Sequence, residues 1–108
     1  MEIIDLSRIK ETSDGDKTFE KELIEMYLED AKELIHKIEE AYVQQNFENL
    51  RRYAHTLKGS SANIGADAMR QGALNVELSG GGDGSVIKDL SQRLEETRKA
   101  YMAYLSSS

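Results

Sequence analysis

The stretch NFENLRRYAHTLKGSSANIG, Asn46 to Gly65, decides the fold. Phe47, Leu50, Tyr53, Ala54, Leu57, Ser61 and Ile64 recur at steps of three and four residues, so they share one side of a helix. Asn46 stands where an N-cap acceptor is needed, and Gly65 stands where a helix stops in the left-handed conformation. The spacing predicts a helix over 46–64 whose apolar face needs partners.

Those partners lie on both sides. Upstream, Phe19, Leu23, Met26, Tyr27, Leu34, Ile38, Ala41 and Tyr42 predict a helix over 18–44, capped by Asp16 and acidic in its first turns, where the helix dipole favours negative charge. A shorter helix over 5–11 precedes it and ends in a Ser-Asp-Gly-Asp turn. Downstream, Met69, Ala73 and Val76 predict a helix over 66–78, and the run SGGGDGS, Ser79 to Ser85, is too rich in glycine to continue it and reads as a flexible connector. Ile87, Leu90, Leu94, Thr97, Tyr101, Tyr104 and Leu105 predict a last helix over 85–105, before a polar Ser-Ser-Ser end expected to fray. Short connections between long amphipathic helices make neighbours antiparallel. The expectation is an all-α, up-down four-helix bundle with a short additional N-terminal helix, forming a single domain over 1–108.

Composition agrees with helices and narrows function. The chain has 108 residues, no Pro and few aromatics. A net charge of -6 works against nucleic acid, whose non-specific binding rests on cations that displace counterions. Zero Cys excludes disulfides and thiolate metal sites, and no apolar run approaches the roughly 20 residues of a membrane span. The start of the chain lacks the basic-then-apolar layout of a signal peptide, so the cytoplasm is the expected compartment.

The chemistry concentrates at His55. Steps of three, four and seven residues along the predicted helix lead to Lys58, Gly59 and Ala62, which places an imidazole, a cation and two positions of minimal bulk on one strip opposite the core face. Gly59 in mid-helix costs about 1 kcal/mol relative to Ala, with no packing return at a surface position. Small residues at 60–62 also suit close helix packing, and spacing does not choose between the two readings. His36 has no such company and reads as a solvated surface residue.

HTLKGSSANIG, His55 to Gly65, resembles the His-x-Leu-Lys-Gly-x-Ser-x-x-x-Gly signature of histidine-containing phosphotransfer (HPt) domains, with a match at every fixed position. The similarity extends weakly through EMYLEDAKELI, ENLRRYAHTLKGSS and NVELSG. It departs at Gly72, where the family usually has a larger apolar residue, and at the Gly-rich connector, which casts doubt on the stability of the fourth helix. The resemblance implies the same bundle. It also implies that His55 accepts a phosphoryl group from the aspartyl phosphate of a response-regulator receiver domain and passes it to another. Lys58 would then neutralise phosphoryl charge and Gly59 would give clearance. By similarity to the phosphotransfer domain of chemotaxis kinases, Glu77 would accept a hydrogen bond from Nδ1–H and leave Nε2 as the nucleophile. Ser60 and Ser61 are expected to serve packing and back-bonding to helical carbonyls.

On this reading the chain is a carrier and not an enzyme. It needs no cofactor or metal, the Mg2+ sits on the receiver, and a sensor or hybrid histidine kinase stands upstream; a monomer is expected. A partner-binding patch flanking His55 is expected from Ile24 and Leu28, at the edge of the predicted apolar face of the second helix, from Ile9 of the first helix packed over the end of the bundle, and from Ala62. Two other classes compete. An HPt-like adaptor would dock without being phosphorylated, but would not need the set His55, Lys58 and Gly59. A hydrolase or metal site built on His55 and Glu77 lacks a third group at a legible spacing.

Overall fold

A computed structural model describes residues 2–107, leaving Met1 and Ser108, the last residue of the expected frayed end, outside the described residues. Five helices follow in order: α1 Ser7–Ser13, α2 Lys17–Val43, α3 Phe47–Ile64, α4 Asp67–Ser79 and α5 Ser85–Ser106. Helix α2 packs on α3, α3 on α4, α4 on α5 and α5 back on α2, while α1 lies against α2 and α3. The bundle measures 44 × 19 × 18 Å, and its long axis is set by α2, whose 27 residues span about 40 Å at 1.5 Å each.

Caps fix where the helices begin and end. The Asp16 carboxylate accepts from the backbone N–H groups of Thr18 and Phe19, and the Asn46 side chain accepts from that of Asn49. Helix α1 starts two residues later than the spacing predicts because the backbone before it is committed elsewhere. Asp5 N–H donates to the Gly65 carbonyl at 2.7 Å, and Ala68 N–H donates to the Ile3 carbonyl at 3.1 Å. The N-terminal segment is thereby stitched to the turn between α3 and α4. Gly65 adopts φ +76°, and a Cβ there would overlap the Asp5 carbonyl oxygen, so both backbone and space demand glycine.

The core runs the length of the bundle through Ile24, Ile38, Leu50, Leu57, Met69, Leu90 and Tyr101. Each large apolar side chain so buried contributes roughly 1.5–3 kcal/mol. The buried stripe of α2 is Glu20, Ile24, Tyr27, Ala31, Ile35, Ile38 and Ala41, rotated by about one residue from the face predicted. Phe19 and Met26, read from the sequence as inward, are exposed. Glu20 takes a core position because its carboxylate is satisfied there: Ser13 Oγ donates at 2.6 Å and the Tyr104 hydroxyl at 2.7 Å, with Lys17 Nζ 3.5 Å away. This cluster ties α1, α2 and α5 together.

Two glycine expectations change. Gly72 does not weaken α4 as a void would, because the Arg93 side chain of α5 crosses it to donate to the Ala68 carbonyl at 2.9 Å. A Cβ at position 72 would come within 2.8 Å of Arg93 Cδ. The run from Gly80 to Gly84 is a packed turn and not a loose connector. Gly80, Gly81, Gly82 and Gly84 all have positive φ, and the Tyr42 hydroxyl donates to the Gly82 carbonyl at 3.0 Å.

Candidate functional site

Helix α3 divides its residues by face. Leu50, Ala54, Leu57, Ser61 and Ile64 are buried, so the intervening positions His55 and Gly59 face out. The His55 side chain is 69% exposed, and a Cβ on Gly59 would meet nothing within 4 Å. Room beside the imidazole is therefore unused by this chain itself.

Across the groove to α4 stands Glu77. Its Oε2 lies 2.8 Å from His55 Nδ1, and its Oε1 accepts from Lys58 Nζ at 2.6 Å. An ionised carboxylate only accepts hydrogen bonds, so Nδ1 is the ring nitrogen that donates to Glu77, and in the neutral imidazole the lone pair is then on Nε2. The Lys58 ammonium holds the Glu77 carboxyl below the usual carboxylate range; partial burial opposes this, and the His55 ring adds to it. Lys58 thus leans on Glu77 and not into the open space above His55. Ala62, half-buried, lies two turns along the same strip.

Two of the expected partner-binding residues are not on the surface. Ile24 is fully buried and Ile9 is 1% exposed, both in the main core, because the buried stripe of α2 is rotated toward Ile24 and α1 packs Ile9 inward. Leu28 is half-buried in the groove between α2 and α5, beside Leu94 and Glu95, on the side of α2 away from α3. It does not flank His55. The apolar side chains on the α3 side of α2 are instead Leu23, half-buried, and, on the same stripe, the exposed Phe19 and Met26. Leu23 shares a shallow groove with Tyr27, Asp30, Ser60 and Asn63. His36 stands on the outer face of α2 among Glu29, Lys32 and Glu33.

Sequence reasoning missed the buried pair between Tyr27 and Ser61, whose hydroxyls are 2.6 Å apart and join α2 to α3 directly beneath the strip. The available signal was Ser61 on the apolar face of α3, a polar group that needs a buried partner. Ser60 back-bonds to the Leu57 carbonyl at 3.1 Å. Among the described residues, no three His, Cys, Asp or Glu side chains converge as a metal site would require. No helix among them is long and apolar enough to cross a membrane.

An antiparallel helical bundle that presents a carboxylate-held imidazole on an open helix face has the form of a histidine phosphotransfer module. The sequence matches the Hpt domain family over residues 22–101, and the chain belongs to that family, a component of two-component phosphorelays. Its fold is similar to the crystal structure of histidine-containing phosphotransfer protein B (HptB) from Pseudomonas aeruginosa PAO1. The two share 18% sequence identity and a TM-score of 0.86, over 98% of this chain and 96% of that one. No curated protein sequence matches the chain.

Proposed function

We propose that His55 is the phospho-acceptor of a cytoplasmic relay, taking a phosphoryl group from the aspartyl phosphate of one response-regulator receiver domain and delivering it to the aspartate of another. The observation that supports this reading is the bond between Glu77 and His55 Nδ1 on an exposed ring, with open space at Gly59 one turn along the helix; a proton on Nδ1 would make Nε2 the nucleophile. Phosphoryl transfer asks little covalent work of a protein beyond in-line alignment and charge stabilisation. An imidazole held in one orientation supplies the first. The Mg2+ and the acidic pocket come with the receiver, and a sensor or hybrid histidine kinase supplies the phosphoryl group upstream. In place of Ile9, Ile24 and Leu28, the receiver's apolar contact is assigned to Leu23 and Met26 on α2. Leu23 shares its groove with Ser60 and Asn63 of α3, and Met26 is exposed one turn along the same stripe of α2.

The test is incubation with a panel of phosphorylated receiver domains. The protein should acquire acid-labile, base-stable phosphate, His55→Gln should acquire none while keeping its helical spectrum, and His36→Gln should behave as the parent. Labelling of His55→Gln at the parent level would overturn the assignment, and binding of receivers without any labelling would favour the adaptor.

A further inference from the structure

Arg51 stands one turn before His55 on α3 and is a cation that the fold leaves unpaired. The other cations near the strip are engaged: Lys58 donates to Glu77 at 2.6 Å, Arg52 donates to Asn49 at 2.7 Å, and Lys37 of α2 lies over the Tyr53 ring. Arg51 has no hydrogen bond or ion pair among the described residues. Its exposed side chain lies across the turn after α4, where Nη2 would be 2.8 Å from a Cβ built on Gly80. Gly80 has φ +66° and caps α4, so the guanidinium rests on bare backbone at the negative end of that helix. Phe47, Ser79 and Gly82 complete the shallow groove around it.

Resting on the reading of His55 as the carrier, we propose that Arg51 binds the phosphoryl oxygens once His55 is loaded, supplying charge stabilisation on the side of the ring away from Lys58. Side chains on a helix lean toward its N-terminus, so the His55 ring covers the turn that holds Arg51, while Lys58 approaches from the turn behind. Positions 51 and 55 are four residues apart, with Cβ atoms about 6 Å from each other, a gap that an arginine side chain spans with ease. The guanidinium fork can donate to two phosphoryl oxygens at once, and an anion on the ring gives it the partner that the unloaded chain lacks. No directional bond holds Arg51 on Gly80, so leaving that seat costs little.

A cation at a helix C-terminus also stabilises α4, so the decisive readouts are ones that stability does not move. The first is the equilibrium of transfer with a receiver domain. At concentrations where complexes do not accumulate, the ratio of phosphorylated protein to phosphorylated receiver reflects the free species and not the docked contact. Arg51→Gln should shift that equilibrium toward the receiver by about two- to fivefold, the range of an exposed charge pair, and by less at high salt. Arg51→Lys should recover part of the shift, since an ammonium keeps the charge and loses the fork.

The second readout needs no receiver. Phosphoramidate loads His55 chemically in a His36→Gln background, where it is the sole histidine. The Arg51 Nε–H signal should then move and exchange more slowly with water, while the Arg52 signal stays in place. An unshifted equilibrium in Arg51→Gln, even with slower transfer, would overturn the proposal and make Arg51 a receiver contact; an Arg51 signal indifferent to loading would overturn it as well. Protein that loads chemically but accepts nothing from any phosphorylated receiver would overturn the carrier reading instead, and the Arg51 signal keeps the two failures distinct.

Discussion

Gly59 offers a substitution whose effects on stability and on transfer should run in opposite directions. The residue lies inside α3, its φ is not in the left-handed region, and a Cβ there would enter open space. Nothing in the folded chain penalises Gly59→Ala, while the unfolded chain loses freedom, so the variant should gain about 0.8–1 kcal/mol from helix propensity. For a domain of this size that corresponds to a rise in Tm of about 4–8 °C, read by circular dichroism. Gly59→Gln should also be more stable than the parent, by a smaller margin. The same methylene groups then stand where a receiver must come to reach Nε2. Transfer from a phosphorylated receiver should fall modestly in the Ala variant and by at least tenfold in the Gln variant, since displacing one interface contact by about 1.4 kcal/mol is already tenfold. Chemical phosphorylation of His55 by phosphoramidate, which needs no docking, should stay at the parent level in both. A stabilised Gly59→Gln that still accepts phosphate from receivers at the parent rate would refute the clearance argument. A destabilised one would refute the reading of the site as open space.

Three further outcomes follow from the packing. Gly72→Ala should lower stability by about 1–2 kcal/mol in urea melts, because crowding against Arg93 and Leu90 and disturbance of the Arg93 bond to Ala68 outweigh the propensity gain of about 1 kcal/mol. Glu20 has its carboxyl lowered below its ordinary value, by the Ser13 bond above all and by Tyr104 and Lys17 besides, against the opposing effect of burial. Its contribution is therefore complete above the unfolded-state value of 4.5 and lost as pH falls through the lower folded value; Glu20→Gln should flatten the acid limb of a stability–pH profile between those two values. Met26→Ala should weaken receiver binding measured by titration calorimetry, while Leu28→Ala, on the α5 side, should leave it unchanged and lower thermal stability instead.

Periodicity located all five helices to within two residues, and for α2 and α3 the caps and stops are local chemistry: Asp16, Asn46 and the Gly65 N–H bond backbone groups four residues away or fewer. The strip of His55, Lys58, Gly59 and Ala62 was legible for the same reason, since it lies on one helix. Which edge of α2 faces outward was not. Apolar residues at 19, 23, 24, 26, 27 and 28 cover more than half of the helical wheel, so the buried arc is selected by what α1, α3 and α5 present to it. Glu20 shows why the pattern misleads there. A carboxylate at a core position becomes acceptable only once Ser13 and Tyr104, 7 and 84 residues away in sequence, donate to it. Gly72 repeats the point, its reason being an arginine on another helix.

The motif that made the site readable mixes two kinds of constraint, and the structure separates them. Of its fixed positions, His55 and Gly59 face solvent and Lys58 turns to Glu77, so their identities answer to chemistry and to approach. Leu57, Ser61 and Gly65 are buried, and their identities answer to the core, to Tyr27 and to the Asp5 carbonyl. The buried set is not idle in the reaction. Ser61 fixes α3 against α2, and Gly65 admits the N-terminal segment that closes the α3–α4 turn, from which α4 brings Glu77 to His55. A change at Gly65 should therefore move a carboxylate ten or more residues away. Gly65→Ala has a left-handed φ to accommodate, at about 1–2 kcal/mol, and loses the bond from Asp5 N–H. It should lower stability by about 2–3 kcal/mol. In the fraction that still folds, the nitrogen-15 signal of His55 should also show a mixture of ring tautomers where the parent shows one. A destabilised variant with the parent tautomer intact would mean that α4 is placed by its own core contacts with α5, and that the turn glycine serves stability alone.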